Sequence, residues 1–328
     1  MGYGESGMSK IVIITGAGGY IGGQTAIYFK EQGWTVIGID RRPLSSHLVQ
    51  WYDSYYEESY ATPSGLECFS FHCPDAIVHC AGSSLVGPSL MDPKTYYDNN
   101  FIATKTLLDY MVEHKIHSKF IFSSSAAVYG NPIATPIHED DPKFPISPYG
   151  MSKYMVEQLL ETYSHAYGIN YVGFRYFNAA GADPLGRHGQ EKSATHIIAR
   201  VMEAIRDNQV FTLNGVGLPT DDGTCVRDYV HVADIAKAHY YATEHRVTAG
   251  FYNLSTGLGA SNLEIISKCC VISNSKPREI IEGPMRDGDP NVLVADNKKF
   301  FEVANWQNEY HVDDIVEHAW KWYTRELH

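Results

Sequence analysis

Lys10-Ile-Val-Ile-Ile-Thr15, running into Gly16-Ala-Gly-Gly19-Tyr-Ile-Gly22, decides the fold. The first six residues read as a buried strand, and the glycines open an amphipathic helix that ends near Gly33. Glycine lets the chain turn tightly between strand and helix and lets backbone amides approach a ligand closely. The helix N-terminus then faces any anion seated on the loop, so the stretch reads as a dinucleotide-phosphate site. The spacing is G-x-x-G-x-x-G, a variant of G-x-G-x-x-G, with Tyr20 and Ile21 inside it.

Outward from this stretch, strands alternate with helices. Thr35–Asp40, Ser54–Glu57, Ala76–Cys80, Lys119–Ser123 and Tyr171–Tyr176 read as strands, and Pro93–His114 and Tyr149–Tyr167 as helices. That order predicts an α/β fold with a doubly wound parallel sheet of the Rossmann type. After Asn178, loops rich in Gly, Pro and Asp (Ala179–Gln190, Asn214–Thr224) separate shorter elements and predict a second, smaller α/β lobe. The expected division is 8–177 and 178–328, with 234–255 returning to the first lobe as a helix and a strand.

Composition narrows the partners. The 328 residues are 44% hydrophobic and 20% charged, with a net charge of −12. Such a chain does not suit nucleic acid or an anionic membrane. A phosphorylated ligand needs local cations, because distant charges are screened beyond about 8 Å. No apolar run approaches the ~18 residues of a membrane span. Ile11–Ile14 is too short for a signal peptide and leads straight into the glycine loop, so a cytoplasmic location is expected. Residues 1–7, ahead of Met8, read as an appended remnant or a floppy leader. Cys68, Cys73, Cys80, Cys225, Cys269 and Cys270 show no paired C-x-x-C spacing and read as thiols of a reducing compartment. No H-E-x-x-H occurs among 15 histidines, and no metal is expected.

The chemistry is carried by Tyr149-Gly-Met-Ser-Lys153. Four positions apart on a helix, the phenol and the ammonium lie on one face, and the cation is expected to draw the phenol pKa down. Such a phenol accepts a proton from a secondary alcohol as a hydride leaves the same carbon. Ser125, just past a strand's carboxyl end, is placed to hydrogen-bond that alcohol. Ala126 and Ala127 follow it and carry no proton-transfer group, which speaks against dehydration or decarboxylation. Asp40, at the end of the second strand, suits the hydroxyls of an adenosine ribose and favours NAD over NADP. Arg41 and Arg42 beside it pull the other way. Arg227 and Arg286, in loops of the second lobe, have the forked geometry for phosphate.

These segments resemble the extended short-chain dehydrogenase/reductase family and, within it, the UDP-glucose (UDP-galactose) 4-epimerases. The matching stretches are TGAGGYIGG (15–23), DAIVHCAG (75–82), YYDNN (96–100), FSSSAAVYG (122–130), SPYGMSKYMVEQLL (147–160), RYFNAAGADP (175–184), DGTCVRDYVHVADIAKAH (222–239), YNLSTG (252–257) and GDPNVLVAD (288–296). The resemblance implies a resident NAD and a UDP-sugar oxidised transiently at C4. It implies that Tyr149 takes the 4-hydroxyl proton and Lys153 holds the nicotinamide ribose, with Asn99 near the nicotinamide. Glu58, Cys80, Ala81, Gly82, Ser123 and Tyr176 would also lie along the cofactor. Asn178, Arg227 and Arg286 would hold the UDP and Asp289 the uridine ribose, and a homodimer would form through the 93–114 and 149–167 helices.

The chain departs from the pattern at several positions. Glu58-Ser59 stands for Asp-Ile beside the adenine, Ser84 for a lysine, Asn214 for an aromatic residue on the uracil, and His196-Ile197 for Asn-Leu of the sugar loop. Leu293 has intermediate size where a large residue excludes N-acetylated sugars. A UDP-xylose/UDP-arabinose 4-epimerase, or another nucleotide-sugar reductase of the family, stays open as an alternative.

Overall fold

The computed structural model describes residues 9–191, 195–244, 247–284 and 290–325. β1 (Ile11–Thr15) is buried from Val12 onward and passes through the glycine turn into α1 (Tyr20–Glu31). There follow β2 (Thr35–Asp40), β3 (Ser54–Glu57), α2 (Pro63–His72) and β4 (Ala76–His79). A short α3 (Val86–Met91) leads to α4 (Pro93–Tyr96), a π-helical turn (Tyr97–Ile102) and α5 (Ala103–Glu113). Then come β5 (Lys119–Ser125), α6 (Pro148–Tyr167) and β6 (Tyr171–Tyr176).

These strands make one parallel sheet with an added edge strand, Gly250–Leu254, in the order 250–254, β6, β5, β4, β1, β2, β3. Strands this apolar require cover on both faces, and helices supply it. One face is packed by Ala26, Ile27 and Phe29 of α1 with Ile235 and Ala238, the other by Phe69, Leu107, Met111, Val156 and Leu160. The strand order reverses between β1 and β4, and the crevice beyond their carboxyl ends is where ligands of such sheets lie.

The chain continues through β7 (Asn178–Ala180), α7 (Ile197–Arg206), β8 (Val210–Asn214), β9 (Val226–His231), α8 (Val232–Glu244) and the edge strand β10 (Gly250–Leu254). It closes with β11 (Gly259–Ser261), α9 (Asn262–Ser273), β12 (Glu279–Gly283), β13 (Val292–Leu293), α10 (Lys298–Ala304) and α11 (Val312–Thr324). α8 packs on α1 and β10 on β6, so this stretch returns to the large sheet. A separate core joins α7, α9 and α11 through Ile198, Met202, Ile265, Cys269, Ile315 and Trp322. β9 carries β7, β11 and β13 around it, and β8 pairs with β12.

The 93–114 stretch is helical, but not as one regular helix. The π turn inserted at Tyr97–Ile102 widens the backbone where Asn99 and Asn100 sit. Among the described residues no helix is long and apolar enough to cross a membrane, no cluster of three potential metal ligands occurs, and all six cysteines are free thiols.

Candidate active site

The glycine turn is built by close backbone approach. Gly16 has φ +67°, and a Cβ there would stand 2.7 Å from the Ala81 amide nitrogen; a Cβ on Gly22 would stand 2.3 Å from the Gly16 carbonyl oxygen. Both therefore have to be glycine. Gly19 is the N-cap of α1 and provides no side-chain cap, which leaves first-turn amides open to an anion. Tyr20 donates its hydroxyl to the Gly181 carbonyl (2.7 Å), tying the turn to the segment after β7, while Ile21 packs on the core below. Asp40 accepts from the Gly18 amide (3.1 Å) and the Arg42 amide (3.1 Å), which sets its carboxylate beside the turn. These features fit a dinucleotide: a pyrophosphate over the amides and a ribose against Asp40.

Across the crevice, Cys80, Ala81 and Gly82 follow β4. The Ala81 amide donates to Thr15 Oγ1 (3.2 Å), and a Cβ on Gly82 would meet the Asn100 side chain at 2.8 Å. Asn100, only 2% exposed, clasps Ser83 through both backbone groups (2.7 and 2.9 Å) and donates to Ser152 Oγ (2.9 Å). Ser152 donates in turn to the Tyr149 carbonyl (2.7 Å). Asn99 donates to Ser83 Oγ (3.1 Å). Glu58 stands elsewhere in its bonding. Its carboxylate accepts from Thr62 (3.0 Å), Ser64 (3.1 Å) and the Ser59 amide (3.2 Å), which binds it to the start of α2 and holds its carboxyl below the ordinary range.

Tyr149 and Ser125 meet because Gly150 has no side chain. A Cβ at Gly150 would lie 2.4 Å from the Ala127 carbonyl oxygen, so the start of α6 presses directly on the turn after β5. Ser147 caps that start by accepting from the Gly150 amide (3.1 Å), with Pro148 in the first turn. The Ser125 hydroxyl lies beside the Tyr149 phenol and accepts from the Ala127 amide (3.2 Å). Lys153 is 5% exposed; its Nζ donates to the Ser123 carbonyl (2.8 Å) and stands 5.0 Å from the centre of the Phe122 ring.

The electrostatics correct one expectation. Burial, with a small contribution from Tyr96, pushes the Tyr149 phenol above its ordinary value, against the opposing pull of the neighbouring Ser125 hydroxyl. Lys153 was expected to lower it. Instead the same burial acts on the ammonium and lowers Lys153 to about 8.

Two buried relays lie behind these groups, and sequence reasoning missed their inner members. Thr15 Oγ1, His79 and Thr104 are linked at 2.8 and 2.9 Å, and Thr104 donates to the Asn100 carbonyl (2.6 Å). The second joins Ser123 to Tyr176 (3.0 Å), Tyr176 to His239, and His239 to Thr25 (3.0 Å). Thr25 donates to the Ile21 carbonyl (2.8 Å), so His239 Nδ1 carries the proton and Nε2 accepts the Tyr176 hydroxyl. Both histidines are pushed to about 3 by burial and are neutral. YYDNN contains Asn100 and DGTCVRDYVHVADIAKAH ends on His239, so each offered a signal; nothing in the spacing marks Thr25.

A cavity of about 180 Å³ opens in the second group of elements. Asn178, His196, Asn214, Arg227, Tyr229 and Asn262 are among its walls, so three of the sequence-predicted substrate residues share one recess. Asn178 donates to the Asp228 carbonyl (2.9 Å), and Arg227, 8% exposed, donates to the carbonyl of Val226 (2.9 Å). Asp228 is not its ion partner. It is buried behind the strand and accepts from Thr256 and Gly257. Leu293 is outside this recess; it pairs with Arg227 in register and packs against the cluster of Ala126, Val128 and Phe177 just past Ser125. Arg286 and Asp289 lie outside the described residues.

Comparison with known proteins places this geometry. Residues 12–255 match the NAD dependent epimerase/dehydratase family. The chain is 40% identical to the UDP-glucose 4-epimerase of Halalkalibacterium halodurans over 97% of its own length and 96% of that protein. It superposes on the UDP-glucose 4-epimerase of Brucella ovis, solved in complex with NAD, with a TM-score of 0.90 at 35% identity (96% and 98% of the chains). The enzyme from Bifidobacterium longum, solved with NAD+ and UDP, gives 0.89 at 32% identity (97% and 99%). The chain belongs to the NAD-dependent epimerase/dehydratase family.

Proposed function

We infer that the protein is an NAD-dependent UDP-sugar 4-epimerase acting on UDP-glucose and UDP-galactose. The placement of Ser125 and Tyr149 beside Lys153, at the mouth of the switch-point crevice, supports this reading most. NAD, when bound, supplies the acceptor for the C4 hydride and gives that hydride back. The chain's own residues do the rest. Tyr149 takes the proton of the 4-hydroxyl, and Ser125 shares that hydrogen bond as the oxygen becomes a carbonyl. Lys153, held on the Ser123 carbonyl, presents its charge to the nicotinamide ribose. When hydride returns to the opposite face, Tyr149 gives the proton back.

Gly16, Gly19, Tyr20, Ile21 and Gly22 would seat the pyrophosphate, Asp40 the adenosine ribose, and Glu58 the adenine side. Cys80, Ala81, Gly82, Asn99, Ser123 and Tyr176 would line the nicotinamide half. Asn178, His196 and Arg227, with Arg286 and Asp289, would hold the UDP-sugar, and Leu293 would bound the sugar at the reacting end. We take 8–177 with 234–255 as the cofactor lobe and the remainder of 178–328 as the substrate lobe. Six free thiols suit the cytoplasm.

The homodimer belongs to the same proposal. α5 packs on α6, and Ile102 and Tyr167 stay 51% and 58% exposed there. Light scattering should give the mass of two chains; a single-chain mass at micromolar concentration rejects the dimer. For the activity, purified protein given UDP-galactose should form UDP-glucose with no net build-up of NADH. No UDP-glucose at high enzyme concentration would remove the hexose assignment, and accumulating NADH would favour a net reductase instead.

A further inference from the structure

Behind Ser125 sits a buried ion pair that the proton and hydride steps above do not use. Glu157 of α6 and Arg175 of β6 meet there, their side chains 1% and 4% exposed. Arg175 Nε donates to Oε1 of Glu157 (3.0 Å) and Nη2 to Oε2 (2.8 Å), the two-point fit of a guanidinium on a carboxylate. Oε1 accepts a third bond, from Ser124 Oγ (2.5 Å). The remaining arm of the guanidinium, Nη1, donates to the Tyr129 hydroxyl (2.8 Å) and to the Glu139 carbonyl (2.9 Å). Tyr129 gives its own proton to Asn253 Oδ1 (2.7 Å).

The pair is therefore tied to the chain on both sides of Ser125. Ser124 precedes that serine, and Tyr129 closes the short turn Ala126–Val128 that follows it. Ser124 stands opposite Arg175 in the sheet and Ser125 opposite Tyr176, so the guanidinium rises beside the reacting strand end. On the helix, Tyr149, Lys153 and Glu157 recur every four residues and share one face of α6. Glu157 thus joins the helix that carries the phenol to the strand that carries the serine. Stability is a poor reason for such a pair, because the cost of taking two charges out of water offsets most of their attraction. Its forked geometry does fix orientation, since a guanidinium and a carboxylate meet bidentately in one plane.

From this arrangement we propose that Glu157 and Arg175 are positioning residues: through Ser124 and Tyr129 they hold the Ser125 turn in register with Tyr149 on α6. Neither takes a proton or meets the sugar. The assignment rests on the epimerase reading above.

Steady-state kinetics on UDP-galactose, with the NAD-loaded enzyme, test it. Ser124→Ala cuts one tie and Tyr129→Phe weakens the other, and both leave the ion pair in place. Each should lower kcat roughly tenfold, and the double variant up to about a hundredfold, the scale of a misplaced reacting group. KM should stay within about twofold and bound NAD at the parent level, because the UDP and the cofactor are held elsewhere. Ser124→Thr keeps the hydroxyl and should recover most of what alanine loses. In a Glu157→Gln background Ser124→Ala should cost little more, since both changes act on the same link. Circular dichroism and melting temperature measure the folded fraction of each variant alongside its rate. Parent-like kcat in the Ser124→Ala/Tyr129→Phe variant overturns the proposal. A rate loss no larger than the loss of folded protein also overturns it, as does an effect confined to KM. A parent enzyme that forms no UDP-glucose sinks the epimerase reading and the proposal with it, whatever the variants do.

Discussion

Tyr149 shows what residue spacing does and does not disclose. Its partnership with Ser125 and its helix-face relation to Lys153 were legible, because a four-residue interval and a serine at a strand's end have fixed geometric consequences. Its ionisation was not. Pairing a phenol with an ammonium suggests a lowered pKa, but burial disfavours charge on both, and that depends on the surrounding fold. Removing the phenolic hydroxyl isolates its role. Tyr149→Phe should lower kcat by roughly 10²- to 10⁴-fold, the usual worth of a positioned proton acceptor. Bound NAD should stay at the parent level, since the cofactor seat proposed here is built mostly from backbone and other side chains. A kcat within a few-fold of the parent would show that another group takes the proton.

At the scale of elements, the large sheet was readable because its strands are short apolar runs between turn residues, a pattern with one good solution. The π turn was not, since Tyr97–Ile102 lies inside a stretch read as one helix and the widened backbone accompanies the burial of Asn100 against Ser83 and Ser152. The importance of Gly150 was equally hidden. Within Y-G-M-S-K it looks like a neutral spacer, yet it allows α6 to touch the Ala127 carbonyl. Gly150→Ala should therefore separate two effects that usually oppose each other. Alanine favours a helix over glycine by about 1 kcal/mol, but here the added methyl must push α6 from the turn. The expected result is a kcat reduced at least about tenfold, on the principle that small misplacements of reacting groups are costly, with NAD still bound. Parent-like turnover in Gly150→Ala would mean the Ser125–Tyr149 contact tolerates that shift.

Over the whole molecule, neutral buried histidines set a pH limit. His79, His231 and His239 are pushed to about 3 and His188 to about 4, all mainly by burial. The unfolded chain binds protons at these positions from about 6.5 downward while the folded chain does not, so stability present above 6.5 is lost as pH falls. Buried carboxyls act in the opposite sense: Asp228 and Asp234 are raised to about 6 and Glu139 is also raised. The histidines outnumber these carboxyls, so over this range the unfolded chain binds more protons than the folded one and stability falls as pH falls. The melting temperature should fall over that interval, and a flat or rising curve would mean the histidines are not held neutral. None of this was legible beforehand, because a histidine's burial is a property of the assembled fold and not of its neighbours in the chain. The two-lobed division was inferred from a change in loop composition near Asn178, and the return of α8 and β10 to the large sheet shows why a single cut point cannot describe it.

The central claim is that a hydride leaves C4 of the sugar and comes back to that same carbon within one turnover. UDP-galactose carrying deuterium at C4, converted in ordinary water and examined by mass spectrometry, tests it most directly. Retention of the deuterium at C4 of UDP-glucose is the predicted result; exchange of the label for solvent hydrogen would contradict the account.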